Sequence, residues 1–133
     1  MQKVTIIGQG YVGLTVSVFA AEHFLVTGFD SNVGLVNQLN RGISHIEGIT
    51  NKNIEKLIKL GKYKATSRQE DIADSDIVIV SVPTPLDESR NPDLSYLRAA
   101  CKTIGENLEE PALIINESTS YPGTLRNFIK PMI

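Results

Sequence analysis

The stretch IIGQGYVGL, residues 6–14, decides how the rest of the chain is read. An apolar run gives way within a few residues to helical spacing, and Gly8, Gly10 and Gly13 stand at the change. Glycine costs backbone entropy, so each one here needs a reason. Between a strand and a helix each has its own: Gly8 permits the tight turn, Gly10 lets a pyrophosphate approach main-chain N–H groups, and Gly13 lets helix and strand pack closely. The start of the helix adds partial positive charge directed at the phosphates. Tyr11 and Val12, between the second and third glycines, complete the ligand-facing set on this turn.

The flanking sequence supplies the context that this motif requires. KVTIIG (3–8) reads as a strand and YVGLTVSVFAAEH (11–23) as a helix, with Val12, Val16, Phe19 and Ala20 as its apolar stripe. LVTGFD (25–30) is a second strand ending in Asp30, near the offset where an acid accepts hydrogen bonds from the adenine ribose hydroxyls. A 2′-phosphate beside that carboxylate meets like charge, and no arginine follows closely, so the pattern selects NAD over NADP. The competing role for Asp30 is to cap the next helix, for which Ser31 and Asn32 are rival candidates.

Beyond Asp30 the alternation continues. SNVGLVNQLNRG (31–42) is a helix with Val33, Val36, Leu39 and Asn40 on one side and Gly42 as its stop. NIEKLIKLGK (53–62) is an amphipathic helix and YKATS (63–67) a third strand. DIVIVSVP (76–83) is apolar on both faces, as a central strand of a parallel sheet must be. DLSYLRAACKTIGENL (93–108) follows as a helix capped by Asp93, with Leu94, Leu97, Ala100, Cys101, Ile104 and Leu108 inward. ALIINEST (112–119) is a fifth strand, and a last helix begins at Pro122. Strands separated by helices pair in parallel, which gives an α/β, doubly wound, Rossmann-like sheet. The usual six strands stop here at five, so residues 1–133 are expected to be one dinucleotide-binding domain truncated before the sixth strand.

Composition bounds the partners. With 41% hydrophobic and 21% charged residues and a formal net charge of -2, the chain has no electrostatic footprint for nucleic acid or an anionic membrane. One cysteine excludes a disulfide framework and a multi-cysteine metal site, and fits the cytoplasm. No metal-ligand set is assigned.

Four stretches taken together, GQGYVGL (8–14), SHIEG (44–48), SVPTPLDESRNPDLSYL (81–97) and ESTSYPGT (117–124), carry a resemblance over the whole chain. They resemble the UDP-glucose/GDP-mannose dehydrogenase family, and RNPDLSYL looks most like the branch acting on UDP-N-acetylhexosamines. The resemblance implies that Val82 and Thr84 line the nicotinamide half of NAD, on a loop stiffened by Pro83 and Pro85. It implies too that Ser118 and Thr119 sit beside the nicotinamide ribose, with Thr119 also orienting a catalytic water. For Thr84 the competing role is that of a residue in a rigid connector, and for Ser118 and Thr119 that of a cap on the following helix.

The family's chemistry oxidises a sugar C6 alcohol to a carboxylate by two hydride transfers to NAD, through a covalent adduct on a cysteine. That cysteine has no match here: Cys101 lies on a helix face and reads as a buried, inert thiol. By the same resemblance the catalytic and UDP-sugar-binding parts lie in a C-terminal domain outside this chain, and the full-length protein is a homodimer serving polysaccharide biosynthesis. Leu125 departs from the second threonine of many relatives. The expected function is therefore the NAD-binding domain of a UDP-sugar 6-dehydrogenase, binding NAD without turnover by itself; the alternative is a stand-alone domain that senses NAD or binds a partner. A hydroxyacid or ketopantoate-type reductase is disfavoured by Ser-Thr-x-x-Pro-Gly. His23 reads as a helix-end residue, and Lys52, Lys56, Lys59, Lys62 and Lys64 as a solvated face. His45 is either a loop residue folding over the ligand or a solvent-exposed one, and Arg90 is left unassigned.

Overall fold

The computed structural model describes residues 1–118; Thr119 and the helix expected from Pro122 lie outside the described residues. The described part is a five-stranded sheet built of β1 (Lys3–Ile7), β2 (Leu25–Phe29), β3 (Tyr63–Thr66), β4 (Ile77–Val80) and β5 (Leu113–Asn116). The order is β3-β2-β1-β4-β5, and every pairing is parallel. This is a doubly wound sheet of the Rossmann order, and the parallel pairing is the one expected from the alternation of strands and helices. As the unbroken apolar run required, β4 is internal, flanked by β1 and β5.

Helices α1 (Tyr11–Ala20), α2 (Val33–Asn40) and α3 (Asn51–Lys59) precede the third strand, and α4 (Ser95–Asn107) joins β4 to β5. They produce two cores. Val4, Ile6, Leu14, Val18, Val26, Val36, Leu39, Ile54 and Tyr63 pack in one, and Ile7, Phe29, Val78, Val80, Leu97, Ala100, Cys101 and Ile104 in the other. Strand alternation sends Ile6 to the first core and Ile7 to the second.

The inward face of α1 corrects the sequence reading. The buried residues are Gly13, Leu14, Ser17 and Val18, whereas Val12 is 51% and Phe19 63% exposed. The helix starts so close to the turn that Gly13, where a Cβ would collide with Gly8 O, faces it, and Leu14, Ser17 and Val18 follow on the same side. It also stops at Ala20, so His23 lies exposed in the turn beyond it. In α2 Val36 and Leu39 are buried as expected, but Val33 is exposed. Asn40 does something more specific: its Nδ2 donates to Ala65 O at 2.9 Å and its Oδ1 accepts from Ala65 N at 2.9 Å. The amide thus acts as a one-residue strand along the outer edge of β3, covering main-chain groups that an edge strand leaves open.

Caps set the remaining boundaries. Asn32 Oδ1 accepts from Leu35 N at 3.1 Å and caps α2. Thr50 Oγ1 accepts from Asn53 N at 3.2 Å and starts α3 earlier than the periodicity indicated. Asp93 stands one residue further out than a standard cap, because α4 begins at Ser95; its Oδ1 accepts from Ser95 N at 2.9 Å. The inward face of α4 is the expected one, with Leu97, Ala100, Cys101 and Ile104 buried and Leu94 and Leu108 packed at its margins. Among the described residues no helix is long and apolar enough to cross a membrane.

Candidate functional site

Parallel strands deliver all their connections to helices at one end, and the site is built there. The ladder continues past the strands through Gly8 N to Phe29 O at 2.7 Å and Ser81 N to Ile7 O at 2.8 Å, which brings the glycine turn, Asp30 and the loop after β4 side by side. Gly8 has φ +96°, and a Cβ there would collide with the carbonyl of Ser81. A Cβ on Gly13 would collide with Gly8 O. Gly10 differs from both: its φ of -74° suits any residue, and a Cβ on it would meet nothing within 4 Å. Its lack of a side chain leaves the approach to the helix start open. No side chain caps α1, so its first amides remain for a ligand or water.

Asp30 follows β2 and its two carboxylate oxygens are both engaged by main chain. Oδ2 accepts from Gln9 N at 2.8 Å and Oδ1 from Asn32 N at 2.9 Å. The carboxylate is thereby aimed across the turn, with Asn32 acting as the helix cap in its stead, and its remaining lone pairs can accept further donors. A crevice of about 340 Å³ runs from here, lined by Gly8, Asp30, Val82, Pro83, Gln69, Tyr96 and Thr103 among others. A larger concavity of about 410 Å³ includes Lys3, Leu25 and Tyr63, the first residues of their strands. That is the opposite end of the sheet, and ligands of open parallel sheets lie at the carboxyl ends.

At the far side of β4, Val82 N donates to Ser118 Oγ at 3.0 Å, and Ser118 Oγ lies 3.3 Å from Val80 O. Two residues picked separately in the sequence thus fasten the ends of β4 and β5 together. Thr84 follows in the same loop, half-buried and already engaged in an interaction. Thr119 lies outside the described residues.

The arrangement matches a known family in sequence as well as in shape. Residues 2–133 match the UDP-glucose/GDP-mannose dehydrogenase family, NAD binding domain. The chain belongs to that family. It is 39% identical over 124 residues to a UDP-N-acetyl-D-mannosamine dehydrogenase of Pyrococcus horikoshii, covering 92% of this chain and 29% of the relative. To a UDP-N-acetyl-D-glucosamine 6-dehydrogenase of Pseudomonas aeruginosa it is 34% identical over 131 residues, covering 98% of this chain and 30% of the other. The solved UDP-D-ManNAc dehydrogenase of P. horikoshii superposes with a TM-score of 0.90 at 36% identity, over 98% of this chain and 32% of that one. The chain therefore spans about three-tenths of the length of the relatives it matches.

A dehydrogenase-family NAD-binding domain needs an anion-accepting turn with a ribose-facing acceptor beside it, and the geometry here is compatible with both needs. The open space at Gly10, the uncapped start of α1 and the fixed carboxylate of Asp30 fit a dinucleotide. Sequence reasoning missed what holds the turn. Gln9 is 0% exposed, and its Nε2 contacts Ile6 O, Gly8 O and Ser17 Oγ, each at 3.1 Å. Its Oε1 accepts from Tyr63 Oη at 2.8 Å. Burial, reinforced by the charge of Asp30, pushes the Tyr63 phenol well above its ordinary range, so it stays a donor. The only hint in the sequence was a polar residue amid apolar ones, which also suits an exposed turn.

Cys101, His45, Arg90 and the lysines are not among the residues that line the crevice at Asp30. Cys101 is buried in the second core and burial pushes its thiol pKa up, which suits an inert packing residue. His45 is exposed in its loop, and Lys52, Lys56, Lys59 and Lys64 are solvated. Lys62 is half-buried instead, its ammonium 3.6 Å from Met1 Sδ. Arg90 adopts φ 62° at the tip of a short hairpin closed by the Leu86–Pro92 bridge.

Proposed function

We propose that residues 1–133 form the NAD-binding part of a UDP-sugar 6-dehydrogenase, with UDP-N-acetylhexosamine as the sugar nucleotide. The single observation that carries the reading is the turn itself: an open Gly10 before an uncapped helix, with Asp30 fixed 2.8 Å from the Gln9 amide. In this reading NAD supplies the hydride acceptor. Amides around Gly8, Gly10, Tyr11, Val12 and Gly13 receive the diphosphate, Asp30 accepts from the adenine ribose hydroxyls, and Val82, Thr84, Ser118 and Thr119 flank the nicotinamide half. Thr119 also orients a water. The relatives' names support the substrate class, three N-acetylhexosamine enzymes among them matching at 33–39% identity.

The overall reaction takes the C6 alcohol to a uronate with two NAD and one water. The nucleophilic cysteine and most contacts to the UDP-sugar belong to a C-terminal domain outside this chain, so the isolated domain binds NAD without turnover. The whole protein works in the cytoplasm as a homodimer, in polysaccharide biosynthesis. Calorimetry of the domain with NAD and NADP tests the cofactor assignment, NAD being the tighter ligand. Coupling a UDP-N-acetylhexosamine to NADH formation in the full-length protein tests the substrate. Tighter binding of NADP overturns the role of Asp30, and oxidation of UDP-glucose in preference overturns the sugar.

A further inference from the structure

We propose that Gln9 is a positioning residue for the cofactor, and that Tyr63 on β3 controls the turn through it; this rests on the assignment of the dinucleotide to the glycine turn. Gln9 stands between Gly8 and Gly10, so any shift of its backbone moves the anion-accepting amides. Its own N–H donates to Asp30 Oδ2, so the same shift releases the carboxylate assigned to the ribose. One residue therefore ties together the group assigned to the adenine ribose and the groups assigned to the diphosphate next to it.

The side chain fixes that residue from inside the protein. Its Nε2 faces two carbonyls of its own segment, Ile6 O and Gly8 O, and the Oγ of Ser17, which itself donates to Gly13 O at 2.7 Å, while its Oε1 accepts from the Tyr63 hydroxyl. The reverse orientation would set Oε1 against both carbonyls, so the network permits one orientation of the amide. Space for it exists only because residue 28 is glycine: a Cβ on Gly28 would overlap the Gln9 amide and lie 2.8 Å from Tyr63 Oη. Tyr63 is 3% exposed and reaches Gln9 from a strand 54 residues away in sequence. No polar atom of this cluster is left unsatisfied among the described residues. A turn that merely connected strand to helix would not need a buried amide held from both sides, since such groups are costly unless fully paired.

Tyr63→Phe keeps the ring and removes one donor. Calorimetry on the full-length protein is expected to show NAD and ADP-ribose weakened by the same factor, about three- to tenfold. Ser17→Ala, which removes a hydroxyl from the other side of Gln9, is expected to act in the same direction. Amide hydrogen exchange at Gln9 is expected to quicken in both variants without ligand. A purely structural role would lower the melting temperature yet leave binding to the folded protein unchanged well below it. NAD binding by both variants within twofold of wild type, with Gln9 exchange unaltered, overturns the proposal. A wild-type protein that binds no NAD overturns instead the assignment of the turn.

Discussion

Gly10 and Gly13 are the same residue in the same turn, yet a methyl group added to each has a different fate. At Gly10 the methyl enters open space with a backbone conformation that alanine adopts, so Gly10→Ala is expected to change stability by only about 0.5 kcal/mol. It occupies the approach to the first amides of α1, and NAD affinity is expected to fall at least about tenfold. At Gly13 the methyl collides with Gly8 O, a backbone atom, so Gly13→Ala is expected to cost about 3 kcal/mol through overpacking. Thermal melts paired with calorimetry separate the two. A stable Gly13→Ala, or a Gly10→Ala that binds NAD normally, contradicts the division of labour. For Asp30, replacement by alanine removes the repulsion that disfavours a 2′-phosphate, and the NAD-to-NADP affinity ratio is expected to drop about tenfold or more.

At the scale of elements, β3 shows how side chains substitute for a missing strand. Asn40 donates to and accepts from Ala65 along the outer edge, so Asn40→Ala is expected to lose about 2 kcal/mol, and Asn40→Asp more, because a carboxylate then faces the Ala65 carbonyl. Urea unfolding measures both, and an unchanged midpoint would show the edge needs no cover. Asn40 was legible as part of a helix but not in this role, since its partner is 25 residues away. The same limit governed α1. Its sequence is apolar nearly all round, so periodicity cannot pick a face, and Val12 and Phe19 outweighed the small residues that proximity to the turn selects. By contrast α4, β4 and the parallel pairing were readable, because an amphipathic helix, a doubly buried strand and regular alternation are each local patterns. The glycine turn and Asp30 were readable through spacing. Gln9, Ser17, Gly28 and Tyr63 were not, because their meaning lies in contacts between separate strands and a helix.

Across the whole molecule the two cores are linked by an alkaline weakness. Tyr63 lies in one and Cys101 in the other, and burial raises the pKa of each. A raised pKa in the folded state means that the unfolded chain gives up its proton first. The stabilisation is then complete below the unfolded value and lost as pH climbs toward the folded one. For Tyr63 that loss begins near the ordinary phenol value of 10.0 and proceeds at no more than about 1.4 kcal/mol per pH unit. For Cys101 it begins nearer the ordinary thiol value of 9.0. The free energy of unfolding is therefore expected to decline from pH 9 to 11 in wild type, with a shallower decline above pH 10 in Tyr63→Phe. Lysine titration is common to both proteins and cancels in the difference. Denaturant unfolding at closely spaced pH values reads the two slopes, and parallel curves would mean that Tyr63 is not held as a buried, un-ionised donor.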